Sequence, residues 1–155
     1  MATNLADRQT VVVFSVAGAR YAVPLEASER VVRMPALAPL PGVGEPFVGA
    51  LNLHGSTVPV VDLRAPADRG GSSLLDSHLL IVRTPRRRLA LAADEVQGVR
   101  DLPLSSVAPA AGLVDGLHAV RGIAAFPDGL LFIYDVEALL SAEQERRLAA
   151  VLAAS

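Results

Sequence analysis

A hairpin-shaped apolar stretch occurs twice in this chain, and that repetition limits the possible folds more than any other feature. The first copy covers 47–64 (FVGALNLHGSTVPVVDLR). Val48, Ala50 and Leu51 lead into a turn at His54 and Gly55. Val58, Val60 and Val61 lead out to Asp62, whose carboxylate can cap a following turn. Pro59 in the second arm calls for an unpaired edge or a bulge nearby. The second copy is bracketed by Gly122 and Asp135; Gly49 to Gly122 and Asp62 to Asp135 are both steps of 73 residues. Between the brackets Leu51 falls on Ala124, Leu53 on Phe126, Val58 on Leu131, Val60 on Ile133 and Val61 on Tyr134. Upstream, a step of 68 lays Val11 on Leu79, Phe14 on Val82, Val23 on Leu91, Glu26 on Asp94 and Val31 on Val99. The five extra residues fall in the 99–122 connection, a loop-like region that tolerates insertion.

The duplication predicts two halves of about five short strands each. Closing each half into a small barrel removes most of its free edges, and apposing the barrels buries more apolar surface. Two like barrels side by side leave a groove, a usual seat for partners or ligands. Further strands are expected at 10–16, 20–23, 79–82, 89–93, 121–126 and 130–134. Pro24 suits the start of a short helix through Arg30. The 34–46 segment, with four prolines and two glycines, reads as a stiff surface connector, and 65–77 as the boundary between halves. Ser141 followed by Gln144 is a capping-box pattern. With Leu148, Val151 and Leu152 at helical spacing, it predicts a C-terminal helix over about 142–153.

Composition narrows the function classes. The 155 residues, 52% of them hydrophobic, suffice for one domain or two small subdomains sharing a core. No apolar run reaches the ~18 residues a membrane span needs, and the first residues lack the regions of a signal peptide. The absence of cysteine removes disulfide and thiol chemistry and suits the cytoplasm. A net charge of −2 and 4% aromatics without tryptophan give no general attraction to nucleic acid and no base-stacking surface.

Motifs for chemistry are missing. His54, His78 and His118 have neither HxH nor HExxH spacing, so no metal site is expected. No GxSxG or P-loop occurs, and Gly42 and Gly44 are followed by Phe47 where a dinucleotide fingerprint needs glycine. The carboxylates Glu26, Glu29, Asp62, Asp94 and Asp135 do not pair by spacing. The reading is that the chain is not an enzyme and holds no cofactor. Arg83 with Arg86, Arg87 and Arg88 is the sharpest charge run. A solvated hairpin tip is its ordinary explanation; a small SH3-like barrel binding nucleic acid through this turn is the alternative function.

The order YAVPLEASERVV, a proline-rich loop ending LPG, VGALNLHGSTVPVVDLR, LLIV, LALAADEVQGV and VRGIAAFPDGLLFIYDVEALL resembles the CheW family of chemotaxis coupling proteins from Val11 to Leu140. The resemblance implies a mainly β fold: two five-stranded SH3-like β-barrel subdomains related by internal pseudo-duplication, plus a C-terminal α-helix. It implies a single domain over 1–155. One subdomain would cover about 15–76 and the other about 77–140, the latter taking its first strand from near 10–14. The helix would occupy 141–155. It further implies a non-catalytic cytoplasmic adaptor, in membrane-associated chemoreceptor arrays, joining the regulatory domain of a CheA-type histidine kinase to the cytoplasmic tip of a chemoreceptor. Other CheW-like proteins are further partners. Carried over by position, the receptor groove includes Ser28, Val31, Leu79 and Val99, and the kinase- and array-facing surface Gly49, Asn52, His54, Gly55 and Arg64. Two positions depart from the family. His54 stands where arginine is usual, and Ser28 where an apolar residue is usual. A divergent coupling protein serving non-flagellar motility is expected on that ground.

Overall fold

The computed structural model describes residues 7–44, 46–64, 77–109 and 120–153. Eleven strands run in chain order: β1 (Arg8–Val16), β2 (Ala19–Pro24), β3 (Ser28–Arg33), β4 (Phe47–Leu53), β5 (Ser56–Asp62), β6 (His78–Arg83), β7 (Arg88–Ala93), β8 (Glu95–Pro103), β9 (Val107–Pro109), β10 (Val120–Phe126) and β11 (Gly129–Tyr134), with helix α1 (Ala142–Ala153) last. They form a six-stranded sheet of order β8-β1-β2-β11-β10-β9 and a five-stranded sheet of order β3-β6-β7-β5-β4. The sixth strand of the larger sheet is the three-residue β9, beyond the five strands expected of a half.

The duplication is legible in the ladders. Val12 opposite Val23 has its counterpart in Leu80 opposite Leu91. Leu51 opposite Val58 matches Ala124 opposite Leu131. The parallel pair Val60 and Ala90 matches Ile133 and Ala22. Even the irregularities repeat. The β4–β5 ladder shifts register between Phe47 and Gly49, and the β10–β11 ladder between Val120 and Gly122. At both glycines another segment crosses closely: an added Cβ would lie 2.8 Å from the Ala38 carbonyl oxygen at Gly49 and 2.5 Å from Val107 Cγ1 at Gly122. The bracketing glycines therefore recur because the backbone there is passed by a neighbour.

The strand near 10–14 does join the second half's sheet as β1, but the exchange goes further than the division into 15–76 and 77–140. β1 and β2 of the first repeat share a sheet with β8 to β11 of the second, pairing with β8 and β11, while β6 and β7 of the second share one with β3, β4 and β5 of the first, pairing with β3 and β5. The two repeats exchange their leading hairpins. Asp94 alone links β7 to β8, and one residue cannot reverse the chain into a hairpin, so β8 runs on and pairs with β1 instead. The boundary expected at 65–77 lies, except for Ser77, outside the described residues.

Strand parity builds three cores from this exchange. Val11, Val13, Ala22, Leu131 and Ile133 fill the six-stranded sheet, and their repeat counterparts Leu79, Ile81, Ala90, Val58 and Val60 fill the five-stranded one. The alternate residues Val12, Phe14, Val23, Leu80, Val82 and Leu91 pack between the sheets. Both faces of these strands are buried, which is why TVVVFSV and LLIV are apolar runs without alternation. Tyr21 and Tyr134 stack at 4.9 Å in the shared layer, and burial, followed by the adjacent Tyr21, pushes the Tyr134 phenol up.

Local expectations met mixed outcomes. Ser141 and Gln144 make the reciprocal capping bonds, with Ser141 N–H donating to Gln144 Oε1 at 2.7 Å and Gln144 N–H to Ser141 Oγ at 3.1 Å. Helix α1 docks through fully buried Leu148 and an Arg87–Glu145 ion pair at 3.0 Å. The helix expected from Pro24 to Arg30 is only a 3-10 turn, Leu25–Ala27, because Ser28 already pairs with Val82 in a sheet whose ladder outweighs local helix propensity. Pro59 lies one residue before the β7 ladder begins at Val60, beside the Gly49 bulge. Leu53, at a hairpin end, is half-buried.

Candidate functional site

Two surfaces carry the residues singled out from the sequence. The first flanks the seam between the sheets. Ser28, Val31 and Arg33 on β3 lie opposite Val82, Leu80 and His78, and Val96, Val99 and Asp101 on β8 lie opposite Phe14, Val12 and Thr10. Val82, Leu80, Phe14 and Val12 belong to the shared core, so by parity these two strips of side chains border that core. β3 and β8 each end their sheet, and β8 touches β6 of the other one. Val31 is 44% exposed and Val99 62%, both large for valine on a strand flanking a core. Ser28 is half-buried, its hydroxyl donating to the Pro24 carbonyl at 3.2 Å. Leu79 does not join this surface: it is fully buried on the opposite face, inside the five-stranded sheet's own core.

The second surface is the β4–β5 tip. His54 at φ +52° and Gly55 at φ +88° form a two-residue loop with both central residues left-handed, the twist a tight hairpin favours. Asn52 holds it, its Oδ1 accepting from Gly55 N–H at 2.8 Å. His54 Nε2 stands 3.2 Å from Arg30 Nη1. A guanidinium can only donate, so the imidazole accepts there. This contact joins a residue of β3 at one end of the sheet to the tip of β4 at the other, and so closes the curl. Asn52, His54 and Gly55 are exposed. Gly49 and Arg64 are buried. Gly49 lies beneath the 37–38 crossing, and Arg64, 8% exposed, pairs at 3.0 Å with Asp62, 2% exposed. Asp62 Oδ1 also accepts from Arg64 N–H at 3.0 Å, the turn cap expected of it, as Asp135 Oδ1 does from Glu137 N–H.

The arginine run is organised around carboxylates. Arg83 and Arg88 both donate to Glu29, and Arg87 to Glu145. Burial works against ionisation of Glu29, yet the hydrogen bonds from Arg83 and Arg88 outweigh it and hold its carboxyl below the usual range. Three of the four arginines are thus engaged within the chain, which leaves little for a phosphate backbone.

Among the described residues no cluster of three or more His, Cys, Asp or Glu could hold a metal ion; His118 lies outside them. No described helix is long and apolar enough to cross a membrane. Sequence reasoning missed Arg33 and Asp101, although the 68-residue step already superposes them as it does Val31 and Val99.

Comparison with known proteins adds a family. A family model described as a CheW-like domain matches residues 10–144. The chain is 30% identical over 99 residues to the chemotaxis protein CheW of Klebsiella aerogenes, across 62% of this chain and 60% of that protein's length. Its structure is similar to the crystal structure of the scaffolding protein TtCheW from Thermoanaerobacter tengcongensis. The TM-score is 0.70 at 27% identity, over 82% of this chain and 88% of that one.

Proposed function

The chain belongs to the CheW-like domain family, and from that membership we propose that it is a non-catalytic chemotaxis adaptor coupling a chemoreceptor to a CheA-type histidine kinase. The observation that carries the reading is the matched pair Val31 and Val99, exposed apolar residues at repeat-equivalent positions beside the shared core. A helical receptor tip resting along the seam would cover both. The β4–β5 tip, reduced to its exposed members Asn52, His54 and Gly55, is the kinase- and array-facing surface. In this reading the adaptor works in the cytoplasm, within receptor arrays, and the departure at His54 supports a divergent, non-flagellar branch.

The test is direct binding. Calorimetry with a CheA-type regulatory domain and with a receptor hairpin fragment should give complexes with both. Val31→Asp should abolish the receptor complex and leave the kinase complex intact. Failure to bind either partner would overturn the adaptor reading.

A further inference from the structure

The two walls of the seam are not chemically alike. At its three repeat-equivalent positions β3 presents Ser28, Val31 and Arg33, and β8 presents Val96, Val99 and Asp101. The valine pair is conserved between the repeats, while the outer pair is inverted in charge. Arg33 is exposed, and its side chain makes no hydrogen bond or ion pair among the described residues. Asp101 is exposed too, and only Thr10, on the neighbouring strand, donates to it, at 2.5 Å. Neither charge is needed by the ladder it stands on, because each ladder accepts the opposite charge at the matching position. The fold therefore leaves this pair free to serve recognition.

Resting on the groove reading above, we propose that Arg33 and Asp101 are orientation-determining residues, selecting a helical partner with an acidic flank on the β3 side and a basic flank on the β8 side. A pseudo-symmetric apolar groove would accept an antiparallel helical pair in either of two directions with equal contact. An opposed charge pair breaks that degeneracy, since the reversed partner would place like charges together at both walls. Arginine adds direction of its own on the β3 side, because its planar fork matches a carboxylate bidentately.

The probe is a synthetic antiparallel helical hairpin with a valine-leucine seam, a glutamate row on one outer flank, an arginine row on the other and a photo-crosslinking residue at its connecting turn. On wild-type protein the cross-links should favour one end of the β3 strip, at Ser28 or at Arg33, about tenfold or more over the other. Arg33→Asp and Asp101→Arg should each erase most of that bias, and the double variant R33D/D101R should move the cross-links to the opposite end. The thermal melt of Arg33→Asp should stay at the wild-type value, and that of Asp101→Arg, which loses the bond from Thr10, should fall only slightly. Even cross-linking at the two ends, or a bias untouched by the double variant, overturns the proposal. If Val31→Asp abolishes binding in that case, the groove survives without its charge code. If the hairpin does not bind at all, orientation and groove fail together.

Discussion

The two sheets share one plan and close it with different chemistry. In the larger sheet, Arg20 pairs with Asp128 at 2.8 Å, and the Arg100 guanidinium lies 4.6 Å from the Phe126 ring centroid, so the β10–β11 tip is held to β2 and β8 by fixed charges and an aromatic face. In the smaller sheet the corresponding β4–β5 tip meets β3 through the His54 imidazole and Arg30. Their interiors differ in the same way. Phe14 and Tyr134 stand where the smaller half has Val82 and Val61, which concentrates aromatic stacking on one side of the shared core. What duplication preserved is register, bulge glycine, turn-capping aspartate and core parity. What diverged are the groups at the hairpin tips and at the outer seam positions, where the ladder imposes nothing. Partner selection belongs to that divergent set.

The comparison is broken most severely at the turn-capping aspartates. Replacing Arg64 by leucine removes the guanidinium from the buried Asp62 carboxylate, and urea melts should show a loss of about 3–5 kcal/mol. Asp135 sits in the matching place but caps the exposed backbone N–H of Glu137, so Asp135→Ala should cost only about 1 kcal/mol. Equal losses would mean that the two corners are energetically alike.

The bulge glycines should separate by a smaller margin. Gly49→Ala meets a backbone oxygen at φ +149°, which cannot yield, while Gly122→Ala meets a valine methyl that can rotate. Both overpack, at about 1–3 kcal/mol, with Gly49→Ala at the upper end. Thermal denaturation of the pair checks the order.

Acid should distinguish the tips. The hydrogen bond from Arg20, with burial opposing it, holds the Asp128 carboxyl below its usual value. A lowered native pKa favours the charged, folded form. Its contribution is complete above the unfolded-state pKa and is lost as pH falls through the native one. The β10–β11 tip should therefore stay ordered until pH drops below the ordinary carboxylate range, and Asp128→Asn should remove that step from an NMR titration of the tip amides.

The smallest effect is expected at His54. Changing it to arginine places a second guanidinium against Arg30, so binding to the kinase regulatory domain should improve only when Arg30→Ser accompanies it. Tightening by His54→Arg alone would show that Arg30 swings clear.

Much of this was legible in the chain. The repeat steps found the equivalent strands, the glycine and aspartate brackets and the equivalence of Val31 and Val99, because side-chain period and turn chemistry are local; the place of that pair in a groove came from the family resemblance. Leu79 was misplaced in the groove and Arg64 on the rim because burial depends on which face a neighbouring strand covers, and a run apolar on every position does not declare its faces. The division into halves moved the strand near 10–14 across but not β2, β6 and β7, for a related reason. An exchanged pair of hairpins satisfies the same backbone hydrogen bonds as an unexchanged pair, so strand propensities cannot tell the two apart.

The amino-acid sequence by itself determined a duplicated β protein with capped corners and one terminal helix, since periodicity, glycine placement and capping residues act within a few residues of themselves. Only the tertiary structure decided that the repeats trade their leading hairpins, that Asp62 and Arg64 are sealed inside, and that Arg33 and Asp101 face outward beside one seam. Those facts depend on long-range pairing, where the direction forced by a one-residue link at Asp94 outweighs any local preference.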